Sequence, residues 1–187
     1  GNKVILLATS SGATLALKLA AEYPDIAGLI LLSPNIAIND PLAWVANNHW
    51  GLQIAHLVKG KYNTTGDTTA MEKKYWYNKY RMESVTELQE LLETTMKASL
   101  FEKVKQPVLM LYYYKDEEHQ DKTVKVSAMK RMFRQLGTPD SLKREIAVPN
   151  AEDHVIGSYI TSKDLATVEN ECLKFGEQVL RLPVLKQ

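Results

Sequence analysis

Residues 4–12, Val-Ile-Leu-Leu-Ala-Thr-Ser-Ser-Gly, and the apolar stretch Ala13-Thr14-Leu15-Ala16-Leu17-Lys18-Leu19-Ala20-Ala21 that follows them decide the fold. This order predicts a buried strand, an abrupt turn and a buried helix, with a serine at the corner. Ala8 and Gly12, two positions either side of that serine, are small, as so tight a turn requires. The turn would place the Ser10 hydroxyl near a helix N-terminus, where free N–H groups stabilise negative charge. Ser10 is therefore the leading candidate for a nucleophile.

The composition is that of an ordinary globular protein. The chain has 187 residues, 45% of them apolar and 24% charged, with a net charge of +1. Such a charge does not favour nucleic acid or an anionic membrane as a partner, and no apolar run reaches the roughly 18 residues that span a bilayer. The single cysteine, Cys172, cannot form an internal disulfide, and we expect it to be an inert buried thiol.

Further strands and helices alternate along the chain. The predicted strands are Val4–Leu7, Ala27–Leu32, Pro107–Tyr113 and Lys143–Val148, and the predicted helices are Ala13–Tyr23, Lys125–Leu136 and about Ser162–Leu180. We expect Thr161 or Ser162 to cap the last helix. Continuous apolar strands alternating with helices indicate the α/β class, here a parallel sheet of about four strands flanked by helices.

The segment from residue 35 to residue 104 breaks this alternation. It has no convincing strand, and its apolar spacing predicts helices at Pro41–Lys59, Thr69–Met82 and Val85–Leu100, with a flexible loop at 59–67. All three tryptophans, Trp44, Trp50 and Trp76, lie in it. We therefore predict a helical cap at 35–104, inserted into a core formed by residues 1–34 and 105–187.

A serine nucleophile needs a base that accepts its proton and an acid that orients the base. His154 lies in a loop directly after the fourth predicted strand, which would bring it to the carboxyl edge of the sheet. Asp116 lies just past the third strand and is the first choice for the acid, with Asp121 as the runner-up. We find no His, Cys and carboxylate spacing typical of a metal site, and the chemistry needs no cofactor.

Here a family resemblance becomes specific. Val4–Pro24 resembles, without a gap, the nucleophile strand and helix of the α/β-hydrolase family. Ala27–Pro34 resembles its next strand, Pro107–Asp116 its acid-bearing strand, and Glu145–His154 its histidine strand and loop. The order serine, aspartate, histidine is also that of the family. The chain is most similar to capped esterases, lysophospholipases and serine-aminopeptidase-like hydrolases.

The resemblance implies the roles of individual residues. Ser10 would attack an acyl carbon of an ester or amide, His154 would carry its proton, Asp116 would hold the imidazole, and the backbone N–H of Ser11 would be one oxyanion donor. The sequence departs from the family at Ala8 and Ala13, which replace frequent glycines but are small enough to keep the turn. The residues proposed to line the substrate pocket are Thr9, where the family often has histidine, Tyr113, where it often has glycine, and Trp44, Trp50 and Trp76.

Alternatives remain for the aromatic residues and for the function. The tryptophans are also explained by packing of the cap onto the core. The chain could be a non-catalytic binding module of the same fold, in which Ser10 and His154 are relics. A nucleotide-binding α/β domain is disfavoured, because Ser10-Ser11-Gly12 lacks the several glycines and the lysine of a phosphate-binding loop.

The start of the chain suggests a further expectation. Only three residues precede the first strand, whereas the family has about half its sheet and a second oxyanion donor before it. The chain thus resembles the carboxyl-terminal portion of a hydrolase, and we expect impaired catalysis. Val4–Leu7 would then be an uncovered apolar edge strand that promotes homo-oligomer formation.

Overall fold

The computed structural model describes residues 3–40, 43, 50–64 and 69–183. Its strands are β1 (Val4–Thr9), β2 (Ile26–Leu32), β3 (Tyr62–Thr64), β4 (Lys79–Arg81), β5 (Val108–Tyr112) and β6 (Lys143–Ala147). Its helices are α1 (Ser11–Glu22), α2 (Gly51–Lys59), α3 (Ala70–Tyr75), α4 (Met82–Thr95), α5 (Ala98–Phe101), α6 (Val126–Gln135) and α7 (Leu165–Gln178).

Four of the strands form one parallel sheet in the order β1-β2-β5-β6. The strand ends are in register, because Thr9 pairs with Leu32 and Leu32 pairs with Leu111. The turns that follow β1, β2 and β5 therefore leave the sheet at the same carboxyl edge. The structure confirms the predicted α/β class and the four-stranded parallel sheet.

The core lies on both faces of this sheet. Alternate residues of a strand point to opposite faces, and strands covered on both faces are apolar throughout. Leu31 and Met110 face one side, where they pack in a cluster with residues of α1 and α6. Leu32 and Leu111 face the other side, in a cluster with Phe175 of α7. Helices on both faces thus hold the carboxyl edge of the sheet rigid.

The segment between β2 and β5 contains a two-stranded sheet, with α3 between its strands, that the sequence did not predict. β3 pairs with β4 in an antiparallel arrangement, with the Lys79 ammonium 4.4 Å from the centre of the Tyr62 ring. The expectation of no strand in this segment was wrong, and the expected loop over 59–67 contains β3, because strands of three residues are too short to show an alternating pattern. Residues 65–67 of that loop lie outside the described residues.

The helices of this segment also differ from the prediction. The helix predicted at Thr69–Met82 is the short α3 followed by β4, and residues 41–42 and 44–49 of the first predicted helix lie outside the described residues. α5 packs against α1 and α6, and its Phe101 belongs to the core. The division into a core and a cap at residues 34 and 105 stays a prediction.

The N-terminus of α7 lies later than the sequence indicated. The backbone N–H of Thr167 donates to the side chain of Asp164, which is the N-cap. The expectation that Thr161 or Ser162 caps this helix was wrong, because the Thr161 hydroxyl donates to the Val155 carbonyl instead. Among the helices of the described ranges, none is long and apolar enough to cross a membrane.

Candidate active site

Ser10 lies in the turn between β1 and α1, and its backbone has φ 53° and ψ −123°. A positive φ is uncommon for a residue with a side chain, and its strain is tolerated where neighbouring contacts fix the backbone. The Ser10 N–H donates to the Leu32 carbonyl (3.0 Å), and its own carbonyl accepts from the N–H of Ala13 (3.0 Å). The side chain makes no capping hydrogen bond to α1, so its hydroxyl is free to contact the loop between β6 and α7.

His154 lies in the loop between β6 and α7, and its imidazole reaches Ser10. The Nε2 atom is 2.9 Å from Ser10 Oγ, and the side chain is 13% exposed. The structure thus brings together the two residues that the sequence assigned as nucleophile and base. At this distance Nε2 can accept the hydroxyl proton directly.

The carboxylate beside the imidazole belongs to Asp121. Its Oδ2 is 2.6 Å from His154 Nδ1, and its side chain has no exposed surface. Its Oδ1 accepts hydrogen bonds from the N–H groups of Thr123 (2.8 Å) and Val124 (3.1 Å). A buried carboxylate is retained only when such partners replace its lost hydration. With Nδ1 donating to Asp121, Nε2 is left as the acceptor that faces Ser10.

Asp116, the first choice for the acid, lies apart from His154. Its carboxylate is half exposed, and Oδ1 is 2.8 Å from Nδ1 of His119. Hydrogen bonds from the backbone and the side chain of His119 lower the pKa of Asp116. The assignment of Asp116 is therefore corrected in favour of Asp121, the runner-up.

The path of the loop after β5 explains why Asp121 rather than Asp116 reaches His154. The chain folds back on itself, with the Lys115 N–H donating to the His119 carbonyl (2.8 Å). The Asp121 N–H then donates to the Tyr113 carbonyl (3.2 Å), which returns Asp121 to the strand end. The sequence signal for this excursion is the Asp116–His119 turn, which the carboxylate of Asp116 stabilises by accepting from the N–H of His119.

Ser11, the proposed oxyanion donor, is the first residue of α1. The first N–H groups of a helix have no partner four residues earlier, and the helix dipole adds positive character to them. The first turn of α1 contains no acidic residue that would compete for these groups. The Ser11 N–H is thus available beside the nucleophile.

The predicted pocket residues are distributed unevenly. Tyr113 and His154 both line an open polar cavity of about 510 Å³, together with Lys115, Glu118, His119, Gln120, Lys122, Thr123, Glu152 and Asp153. Thr9 ends β1 beside the nucleophile. Trp50 and Trp76 are 67% and 41% exposed, and Trp44 lies outside the described residues. The assignment of these residues to a substrate pocket stays a prediction.

Two other expected features concern metals and the cysteine. Within the part of the chain that the structure describes, no group of three or more His, Cys, Asp and Glu residues is arranged to hold a metal ion. Cys172 is partly buried, and this burial raises the pKa of its thiol to about 11. The thiol is therefore largely protonated at neutral pH.

Comparison with known proteins identifies the family. The family model Hydrolase_4, described as serine aminopeptidase, S33, matches residues 1–146. The chain therefore belongs to this family of α/β-hydrolases, as the resemblance implied. The matched range contains Ser10 and Asp121 and ends before His154, so the hydrogen bonds rather than the match associate that histidine with the site. No curated protein sequence matches the chain.

Solved structures of lipolytic enzymes have a similar fold. A structure of the metagenome-derived lipolytic enzymes LipS and LipT has a TM-score of 0.72 and 15% identity, covering 96% of this chain and 65% of that one. The monoacylglycerol lipase of Paleococcus ferrophilus has a TM-score of 0.67 and 18% identity, covering 97% and 69%. A soluble variant of the monoglyceride lipase of Saccharomyces cerevisiae, in complex with a substrate analogue, has a TM-score of 0.67 and 16% identity, covering 92% and 61%.

At sequence identities of 15%, 18% and 16%, these similarities show a shared fold and not a shared substrate or activity. The chain spans about two thirds of the length of these proteins, since it covers 65%, 69% and 61% of them.

Proposed function

We propose that this chain carries the catalytic residues of a serine hydrolase that cleaves a carboxylic ester or amide through an acyl-enzyme. The observation that carries the proposal is the continuous hydrogen-bonded path from Ser10 Oγ through His154 to Asp121, with distances of 2.9 and 2.6 Å. A serine hydroxyl becomes a nucleophile when an oriented base removes its proton, and this is the arrangement such a base needs.

In the proposed reaction His154 accepts a proton from Ser10, passes it to the leaving group, and then repeats this transfer with water. Ser10 Oγ attacks the acyl carbon while Nε2 accepts its proton, and Asp121 stabilises the imidazolium that forms. The Ser11 N–H donates to the oxyanion of the tetrahedral intermediate, an interaction typically worth about 3 kcal/mol. When the intermediate collapses, His154 gives the proton to the leaving oxygen or nitrogen. Water then attacks the acyl carbon of the acyl-enzyme. His154 accepts the proton of the water and returns it to Ser10 Oγ as the acid leaves.

We base a proposed substrate class on the solved structures of similar fold. The structures of similar fold belong to lipolytic enzymes and to monoacylglycerol and monoglyceride lipases. The family description instead names a serine aminopeptidase, which cleaves amides. Both reactions use the same acyl-enzyme, so we propose esters first and retain amides within the class.

The proposal is tested by intact-mass analysis after incubation with a fluorophosphonate probe. We expect one adduct on the wild-type chain and none on Ser10→Ala. Ser33→Ala is the matched control, because Ser33 also ends a parallel strand with a positive φ but is fully buried. This control should keep the adduct.

The same samples distinguish the alternative of a non-catalytic binding module. Hydrolysis of a short p-nitrophenyl ester that disappears in Ser10→Ala supports the enzyme. A folded wild-type chain that forms no adduct and does not hydrolyse the ester would contradict our proposal and favour the binding module.

A further inference from the structure

Two neighbouring strands of the sheet are each followed by a serine whose backbone has a positive φ. Ser10 follows β1 with φ 53°, and Ser33 follows β2 with φ 45°. The Ser33 N–H donates to the Leu111 carbonyl (2.8 Å), so β2 stays paired to its end before the chain turns sharply. This turn directs Pro34 and Asn35 back toward the start of α1.

Asn35 then contacts the nucleophile turn at three points. Its backbone N–H donates to the Ser10 carbonyl (3.1 Å), and its backbone carbonyl accepts from the Thr14 hydroxyl (2.6 Å). Its side-chain Nδ2 donates to Ser11 Oγ (3.5 Å). Asn35 is 4% exposed and Thr14 is fully buried, so water competes little for the two backbone bonds, whereas the bond to the partly buried Ser11 is less shielded.

The bond to the Ser10 carbonyl has a consequence for Ser11. A peptide group is planar and almost always trans, so the carbonyl of Ser10 and the N–H of Ser11 are fixed in opposite directions within one rigid plane. The Ser10 carbonyl accepts from the N–H groups of Ala13 (3.0 Å), Asn35 (3.1 Å) and Thr14 (3.4 Å), and these bonds together aim the Ser11 N–H toward the other side. That N–H is the oxyanion donor of the proposed reaction.

The side chain of Asn35 is also polar where packing alone would favour an apolar residue. Its Oδ1 is buried and has no hydrogen-bond partner among the described residues. An unsatisfied buried acceptor is costly, and a residue that keeps one is explained by a role that its amide performs. The amide donor on Ser11 Oγ is the one side-chain contact of Asn35 that reaches the nucleophile turn.

We propose that Asn35 is a positioning residue for acyl transfer, which fixes the Ser10–Ser11 peptide and so aims the oxyanion donor. This inference rests on the proposed function. Asn35 touches no reacting atom in this role, and it acts through the Ser10 carbonyl and the Ser11 side chain. Loss of its side-chain amide leaves the Ser10–His154 hydrogen bond and the backbone bond to the Ser10 carbonyl in place, but it removes the contact that holds Ser11 in the orientation its N–H needs.

The test is the second-order rate constant for phosphonylation of Ser10 by a fluorophosphonate, measured on the whole 187-residue chain. For Asn35→Ala we expect a decrease of about 10-fold, less than the roughly 100-fold that a misplacement of 1 Å costs, because the backbone bond to the Ser10 carbonyl remains. Asn35→Asp should react more slowly still, and more slowly as the pH rises, because an ionised carboxylate there repels the developing oxyanion. The added charge acts through space whatever the role of Asn35, so the positioning role is judged on Asn35→Ala, whose rate constant should fall where that of a merely destabilised variant does not.

Gln106→Ala is the matched control. Gln106 is also a buried amide that holds α1, but at the other end of the helix, where its Nε2 donates to the carbonyls of Ala20 (2.8 Å) and Tyr23 (3.2 Å). This variant should lose thermal stability and keep the wild-type rate constant. If Asn35→Ala does not fold, Thr14→Val removes the hydroxyl that anchors Asn35 and should lower the rate constant in the same direction.

The outcomes separate the two proposals. A wild-type chain that is not phosphonylated would overturn the proposed function. A reactive wild type, with folded Asn35 variants that react at the rate of Gln106→Ala at every pH, would overturn only the positioning role.

Discussion

The carboxylate of Asp121 has lost its contact with water, and three groups compensate for that loss. They are the imidazole of His154 and the backbone N–H groups of Thr123 and Val124. Asp116 in the same loop is half exposed and pairs with His119 instead. Two aspartates of one loop thus have different surroundings, and only one of them can determine which imidazole nitrogen faces the nucleophile.

This difference predicts the outcome of two matched substitutions. Asp121→Asn should lower kcat for ester hydrolysis by about 10⁴-fold, because an amide in place of the carboxylate favours the wrong tautomer of the base. Asp116→Asn should leave kcat unchanged. Steady-state kinetics with a p-nitrophenyl ester measures both, and equal losses in the two variants would disprove the role of Asp121.

The same loop shows what the sequence could and could not predict about the site. Ser10 directly follows β1 and His154 lies seven residues after the end of β6, so strand position was enough to bring them together. Asp121 lies at the end of a loop whose return to the strand depends on hydrogen bonds such as that of the Lys115 N–H to the His119 carbonyl. The Asp116–His119 turn is a local signal for part of this path, but residue spacing does not show where the chain returns to the strand, so proximity to the strand favoured Asp116 over Asp121.

At the scale of secondary structure, the strength of the local pattern decided which elements were predictable. Three strands of the parallel sheet, β1, β2 and β5, are almost continuous apolar runs, and β5 is buried along its whole length, whereas β6 begins with three charged residues. The two-stranded sheet of β3 and β4 is mostly exposed and is held by contacts such as the Asn63 amide donating to the Tyr80 hydroxyl (2.7 Å). Side-chain pairs between distant residues stabilise it, and a single-sequence pattern does not reveal them.

A close contact between the end of α5 and Gly137, two residues after α6, predicts a large stability effect. The N–H of Gly137 donates to the Phe101 carbonyl (3.1 Å), and a Cβ at this position would overlap the carbonyl oxygen of Glu102. Backbone atoms cannot move aside cheaply, so Gly137→Ala should lower the free energy of unfolding by about 2 kcal/mol. Urea denaturation followed by circular dichroism measures this change.

Gly12→Ala provides the comparison for that measurement. A Cβ at Gly12 would meet only the Cβ of Ala8, at the ordinary contact distance of 3.8 Å. Alanine is also the better helix former, so this variant should be at least as stable as the wild type. A Gly137→Ala variant as stable as Gly12→Ala would contradict the steric argument.

At the scale of the whole molecule, the sheet has an apolar strand at one end of its order. In the described sheet β1 pairs only with β2, and Val4 and Leu7 are 53% and 60% exposed. Leu15 and Leu19, one helical turn apart on α1, are also exposed. An unpaired strand edge with apolar side chains is a template for pairing with another chain.

We therefore propose that this chain self-associates through β1. Sedimentation velocity over a range of concentrations should show oligomers of the wild type, and Leu7→Lys should shift them to monomer, because a charge on an edge strand opposes pairing. Leu173→Lys on α7 is the matched control, since Leu173 is 64% exposed and Leu7 is 60% exposed. A wild type that stays monomeric at every concentration would refute the proposal. Dissociation by both variants would assign the association to general surface hydrophobicity, whereas dissociation by Leu7→Lys alone would assign it to the edge of the sheet.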